Sequence, residues 1–141
     1  MNYEEGAMRS ERSVHGIVSG YLVKTAQNMS KMQRKQFFRR YYILDMNRRL
    51  LKIYAKENGA LKDTVKCQAI THVVANLVPK LRQDYGQFFK QAPYKDIKVV
   101  EPKEYPLPFA VFLEGTASIM LLWAANIEDF KTWTLAFQEM A

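Results

Sequence analysis

The sequence predicts a mainly β domain of about six or seven short strands closed by one C-terminal helix. Three observations carry that expectation. Runs of β-branched and aromatic residues recur between turn signals from Ile17 onward. An apolar stripe at helical spacing stands behind a capping asparagine near the end of the chain. The length, 141 residues, fits one domain with a real core and is short for two.

Residues 1–13 are polar, with Glu4, Glu5, Arg9, Glu11 and Arg12, and read as a flexible lead-in or the remnant of a longer chain. They lack the apolar segment of a secretory signal, and Asn2 stands where N-myristoylation needs glycine. The folded domain is expected over residues 14–141. Ile17 to Lys24 gives a first strand with Gly16 and Gly20 at bends, and Thr25 to Lys35 a long polar loop. Gln36 to Asp45 is a second strand, and Asn47 marks a short turn. Arg49 to Lys56 is a third strand, where Leu51, Ile53 and Ala55 alternate with Leu50, Lys52 and Tyr54. After Glu57-Asn58-Gly59, the alternation of Val65, Cys67 and Ala69 predicts a fourth strand over Thr64 to Ile70.

Residues 72–108 read as an irregular insertion. Val73, Val74, Leu77 and Leu81 have helical spacing that Pro79 interrupts, Ile97 to Val100 suits a short strand, and Pro102, Pro106 and Pro108 predict extended or edge chain. Phe109 to Glu114 and Ser118 to Ala125 form two more strands around Gly115. Asn126 caps the final helix, Asp129 places an acid in its first turn, and Ile127, Phe130, Trp133 and Phe137 follow on one side.

The net charge of +7 is unevenly distributed. Ten of the 21 cations, from Lys24 to Lys56, share a 33-residue window with one acid, Asp45, while the rest of the chain is slightly acidic. Such a local field attracts a polyanionic surface. No run approaches the roughly 18 apolar residues of a membrane span. A single cysteine, Cys67, excludes an internal disulfide and a cysteine-cluster zinc site, and reads as a small strand residue in a reducing, cytoplasmic setting. His15 and His72 lie far apart without spaced partner acids, and no phosphate loop, carboxylate pair or metal spacing occurs, so no enzyme, cofactor or metal is expected.

The order of strands before one Trp-bearing helix resembles the pleckstrin-homology (PH) family, and four motifs agree. Gly20-Tyr21-Leu22-Val23-Lys24 is similar to the family's first strand and Arg40-Tyr41-Tyr42-Ile43-Leu44 to its second. Leu51 to Tyr54 resembles its third strand, and Ser118 to Phe137 its last strand and helix, with Trp133 as the helix tryptophan. The resemblance covers roughly residues 16–138 and implies a bent seven-stranded sandwich, or barrel, capped by one C-terminal α-helix, with Trp133 in the core.

It also implies a non-catalytic module that binds anionic phospholipid headgroups. The family's phosphate clamp carries over to Lys24 and Arg40. Phe38 stands where the pattern wants a third cation, and the neighbouring Arg39 belongs to the other strand face. Lys52 or Tyr54 is the third-strand contributor. In the loop, Lys31, Arg34 and Lys35 suit headgroup phosphates, while Met29 and Met32 suit the acyl boundary. That arrangement points to a phosphoinositide or a simpler anionic lipid such as phosphatidylserine or phosphatidic acid, and it suits the acylated PH type that reads phosphatidic acid. The expected setting is cytoplasmic and peripherally membrane-associated. The alternative is a protein partner docked through the insertion, with Gln87, Phe88, Phe89 and Tyr94 as contacts. Nucleic acid is not expected, because the basic aromatic strand lacks the glycines of the RNA-recognition signature.

Overall fold

Alternation between apolar and polar residues decides which side of each strand faces inward, and the final helix seals the space so enclosed. The computed structural model of the protein describes residues 9–25, 37–75, 104–114 and 118–141. The elements are β1 (Glu11–Arg12), β2 (Ile17–Thr25), β3 (Phe37–Asp45), β4 (Leu50–Tyr54), β5 (Leu61–Lys66), a 3-10 turn (Cys67–Ala69), β6 (Ile70–Val74), β7 (Leu107–Leu113), β8 (Ser118–Ala124) and α1 (Ile127–Met140). The strands form one curled antiparallel sheet in the order β5-β4-β3-β2-β8-β7-β6, with β1 added beside β2.

Val18 and Leu22 of β2, Tyr42 and Leu44 of β3, and Leu51 and Ile53 of β4 are buried on the concave face. Phe109, Val111, Met120, Leu122 and Ala124 meet them from β7 and β8. Trp133, Ala136, Phe137 and Met140 of α1 fill the space between. Trp133 stacks on Phe137 at 5.7 Å between centroids and meets Tyr42 edge-on at 6.1 Å, so the helix tryptophan is core. The outer side of β7 and β8 is buried too, at Ala110, Phe112, Leu121 and Trp123, and this explains the unbroken apolar run at Phe109 to Phe112.

The helix termini are chemically matched. Asn126 Oδ1 accepts the Asp129 N–H at 2.8 Å at the N-terminus. At the other end Arg49, in left-handed geometry with φ 56°, donates to the Met140 carbonyl at 2.6 Å. Arg49 is thereby committed to the helix and does not join the cations at the far end of the sheet.

Three sequence expectations need correction. The fourth strand over Thr64 to Ile70 is two strands with a corner between them. The Cys67 N–H donates to the Arg49 carbonyl at 2.9 Å, and the Glu114 N–H donates to the Ala69 carbonyl at 2.6 Å. The Cys67–Ala69 turn thus links the two ends of the curled sheet and carries the chain across from β5 to β6. Val73 and Val74, read with helical spacing, are strand residues of β6 paired to Val111 and Ala110. Residues 9–12 are not a free lead-in: β1 pairs with β2, and Ser10 is buried against α1. The expected strand at Ile97 to Val100 lies outside the described residues.

Candidate functional site

The strand register decides which cations share a surface. Lys24 lies opposite Phe38, and Arg40 lies opposite Leu22. Lys24 and Arg40 are therefore diagonal neighbours on the concave face, about 7–8 Å apart at the backbone. They stand where the chain leaves β2 and enters β3, at the open end of the sheet, away from the helix-capped end marked by Ile17 and Asp45. Both are partly buried. The Lys24 ammonium is held below its ordinary value, first by burial and then by the charge of Arg40, with Asp63 opposing the shift. Asp63 reaches the same face because β5 pairs it with the inward Ile53.

Phe38 completes this end. The Arg40 guanidinium carbon lies 5.0 Å from the Phe38 ring centroid, a cation–π contact that holds the guanidinium beside the ring. Beneath them Tyr42 is fully buried, and its hydroxyl has no hydrogen-bond partner among the described residues. Burial drives that phenol far above its ordinary range, so it stays neutral.

The other expected site residues separate into two groups. Lys52 and Tyr54 lie opposite Ile43 and Tyr41, on the convex face, so they do not share a surface with Lys24 and Arg40. Arg39 is also convex, as the alternation predicts; its guanidinium carbon stacks 3.9 Å from the Tyr21 ring centroid. Tyr21, Tyr41 and Tyr54 stand opposite one another across three strands, and Tyr21 and Tyr41 meet edge-on at 5.0 Å. Lys31, Arg34, Lys35, Met29 and Met32 lie outside the described residues, as do Gln87, Phe88, Phe89 and Tyr94.

Asp63 is the residue sequence reasoning missed at this end. Its signal was available: counting two residues back from the inward Val65 puts it on the concave face. Among the described residues no group of three or more histidine, cysteine or acidic side chains could hold a metal. The Cys67 thiol is buried and its pKa raised by that burial, which disfavours the reactive thiolate. No helix among the described residues is long and apolar enough to cross a membrane.

No family model matches the sequence, and no curated protein matches it. Solved structures do match in shape. The PH domain of human KIAA0053 protein superposes with a TM-score of 0.54 at 14% identity, covering 94% of each chain. The PH domain of human TBC1 domain family member 2 gives 0.53 at 14% identity, covering 94% of this chain and 86% of that one. The PH domain of human oxysterol-binding-protein-related protein 11 gives 0.51 at 16% identity, covering 94% and 85%. Identities this low speak to architecture alone, and the architecture agrees with the strand order and the tryptophan-bearing helix: the chain has the pleckstrin-homology fold.

Proposed function

We propose that this chain is a non-catalytic module that docks on membranes by binding anionic phospholipid headgroups at the open end of β2 and β3. The observation that carries the reading is the pairing of Lys24 with Arg40. Two cations are held on one face, partly out of water, close enough that the charge of Arg40 adds to burial in disfavouring that of Lys24. One exposed acid, Asp63, offsets them. A phosphate lodged between them removes the repulsion and gains charge-assisted hydrogen bonds from a forked guanidinium and a point ammonium.

Phe38 shapes the choice of lipid. With a phenyl ring in place of a third cation, the end offers two donors rather than a clamp around several phosphates. This favours a simple anionic headgroup, phosphatidic acid or phosphatidylserine, over stereospecific recognition of one inositol phosphate. Lys31, Arg34 and Lys35, which lie in the sequence between β2 and β3, add attraction at about 1 kcal/mol per cation near an anionic surface. Met29 and Met32 supply the apolar contact with the acyl boundary. In this reading Lys52 and Tyr54 stand outside the headgroup site.

Co-sedimentation with vesicles of matched total charge tests the proposal. Lys24→Ala and Arg40→Ala should each cut binding several-fold, while Arg39→Ala, one residue away on the other face, should cut it far less. Equal loss from all three would reduce the site to general surface charge.

A further inference from the structure

The headgroup reading leaves one built feature unused: the corner where residues 9–12 lie between β2 and α1. β2 pairs with β8 only at Val23 and Lys24, so the first half of that edge is left to β1, through Glu11 opposite Ser19 and Arg12 opposite Val18. Ser10 is the centre of the contact. Its N–H donates to Asp129 Oδ1 at 3.0 Å, and its hydroxyl accepts from the Trp133 indole N–H at 2.7 Å. Two residues on, Arg12 forks onto both carboxylate oxygens of Glu139, at 2.7 and 3.2 Å.

Gly20 makes room for this. A Cβ at position 20 would lie 2.7 Å from the Ser10 Cβ and 2.8 Å from its Cα, so the glycine is a receiving surface for another backbone. The corner therefore has every part of a peptide-reading slot. It offers a strand edge for main-chain pairing, a buried donor for a hydroxyl and an acceptor for the N–H of the same residue. A bare Cα admits the chain, and a carboxylate stands two residues along for a cation.

The segment filling the slot is held chiefly through Ser10. Of residues 9–12 only Ser10 is buried, and none places an apolar side chain in the core. The Arg12–Glu139 pair is 43% and 49% exposed, where ion pairs contribute little. Asp129 is almost fully buried, yet its Oδ2 has no hydrogen-bond partner among the described residues. A cis segment held through one buried polar residue can be replaced by a competitor that makes the same contacts.

We propose that this corner is a strand-addition site that residues 9–12 occupy in cis, and that its trans ligand is an extended peptide with a serine followed two residues later by arginine. The cis segment defines that chemistry and shields the slot until it is displaced. This function is separate from headgroup binding at the other end of β2, and either can fail without the other.

The test uses the full chain and a fluorescein-labelled peptide of residues 6–14, read by anisotropy. Ser10→Val in the chain removes the hydroxyl and crowds Gly20, opening the slot. The opened chain should bind the peptide saturably and at least tenfold more tightly than the unaltered chain. Ser10→Val in the peptide should abolish binding. Adding Glu139→Arg to the opened chain should switch preference to a peptide with Arg12→Glu. Ser10→Gly in the chain, which removes the hydroxyl that pairs with Trp133 without adding bulk, gives a second opened form in case Ser10→Val misfolds. Absence of saturable binding to a folded opened chain, shown by near-ultraviolet circular dichroism, would overturn the proposal. So would binding indifferent to the serine and the arginine.

Discussion

Gly20→Ala is a one-carbon change with a large expected effect. The new methyl would meet Ser10 at 2.7–2.8 Å from its Cβ and Cα, closer than carbon atoms approach without something moving. The backbone of Ser10 has to withdraw, and two buried contacts go with it. Trp133 Nε1, on a side chain with no exposed surface, loses its acceptor, at a cost of about 1–3 kcal/mol for a buried unpaired donor. The bond from Ser10 N–H to the Asp129 carboxylate, of a kind worth about 1.5–3 kcal/mol, is lost as well. Offsetting part of this, Ser10 regains backbone freedom at about 1–2 kcal/mol, and water reaches the exposed groups. A net loss of about 2 kcal/mol follows, which for a domain of this size lowers Tm by about 6–8 °C. Differential scanning calorimetry reads that shift. The control is a double-mutant cycle with Ser10→Gly, which removes the Cβ and hydroxyl the alanine would strike. Any intrinsic preference for glycine at position 20 appears on both sides of the cycle, so a coupling of about 1 kcal/mol or more isolates the contact. A Tm within a degree of the unaltered chain, or strictly additive losses, would refute the reasoning.

Three further outcomes are expected. Burial raises the Asp129 pKa above 3.8, and bonds from Ser10 and the charge of Arg9 only partly offset it. The folded chain then holds that proton more tightly than the unfolded one, so this group adds stability as pH falls from the raised value toward 3.8 and costs stability above it. Asp129→Asn keeps the Oδ1 acceptor and should flatten that part of a denaturation-versus-pH curve; an unchanged curve would contradict the shift. Tyr42→Phe removes a buried hydroxyl with no partner among the described residues, so it should leave stability unchanged or raise it by up to about 1 kcal/mol in urea unfolding. Lys52→Ala, on the convex face, should leave vesicle binding close to that of the unaltered chain, and a loss matching that of Lys24→Ala would move the site to that face.

Much of the fold was legible because the strands obey one rule. β2, β3 and β4 begin and end within a residue or two of where alternation and turn residues place them, and Asn126 marks the helix start. The corner at Cys67–Ala69 was hidden because Val65 and Cys67 keep facing inward through it, so the period of two runs past the end of the strand. β6 was misread because two adjacent valines fit a helical face as well as a strand. The docked segment at residues 9–12 leaves no hydrophobic pattern, since a two-residue strand fixed by polar contacts has no periodicity. Its one trace is Gly20 within a β-branched run, which the sequence reading took for a bend and which receives the Ser10 backbone instead.

The site was half legible for the same reasons. The family pattern carried Lys24 and Arg40 to positions that prove to be diagonal neighbours on one face. It could not place Lys52 and Tyr54, which share a strand face, because one residue of register decides which face that is; the pairing of Ile43 with Lys52 sends both outward. The ten clustered cations also proved to serve different ends. Arg49 caps the helix, Arg48 stays beside Asp45 at the closed end, and Arg39 lies on Tyr21. Clustering in sequence therefore overstated the field at the open end.

The central claim is that Lys24 and Arg40 form one anion site, and the most direct measurement is vesicle co-sedimentation of the chain and its Lys24→Ala and Arg40→Ala variants. Vesicles carrying phosphatidic acid, phosphatidylserine or individual phosphoinositides should be compared at matched total charge and physiological salt. The account expects binding to simple anionic lipids, loss on either substitution, and little more loss when both are made, because each cation needs the other to hold a phosphate. Undiminished binding by both variants, or no binding by the unaltered chain to any of these vesicles, would contradict it.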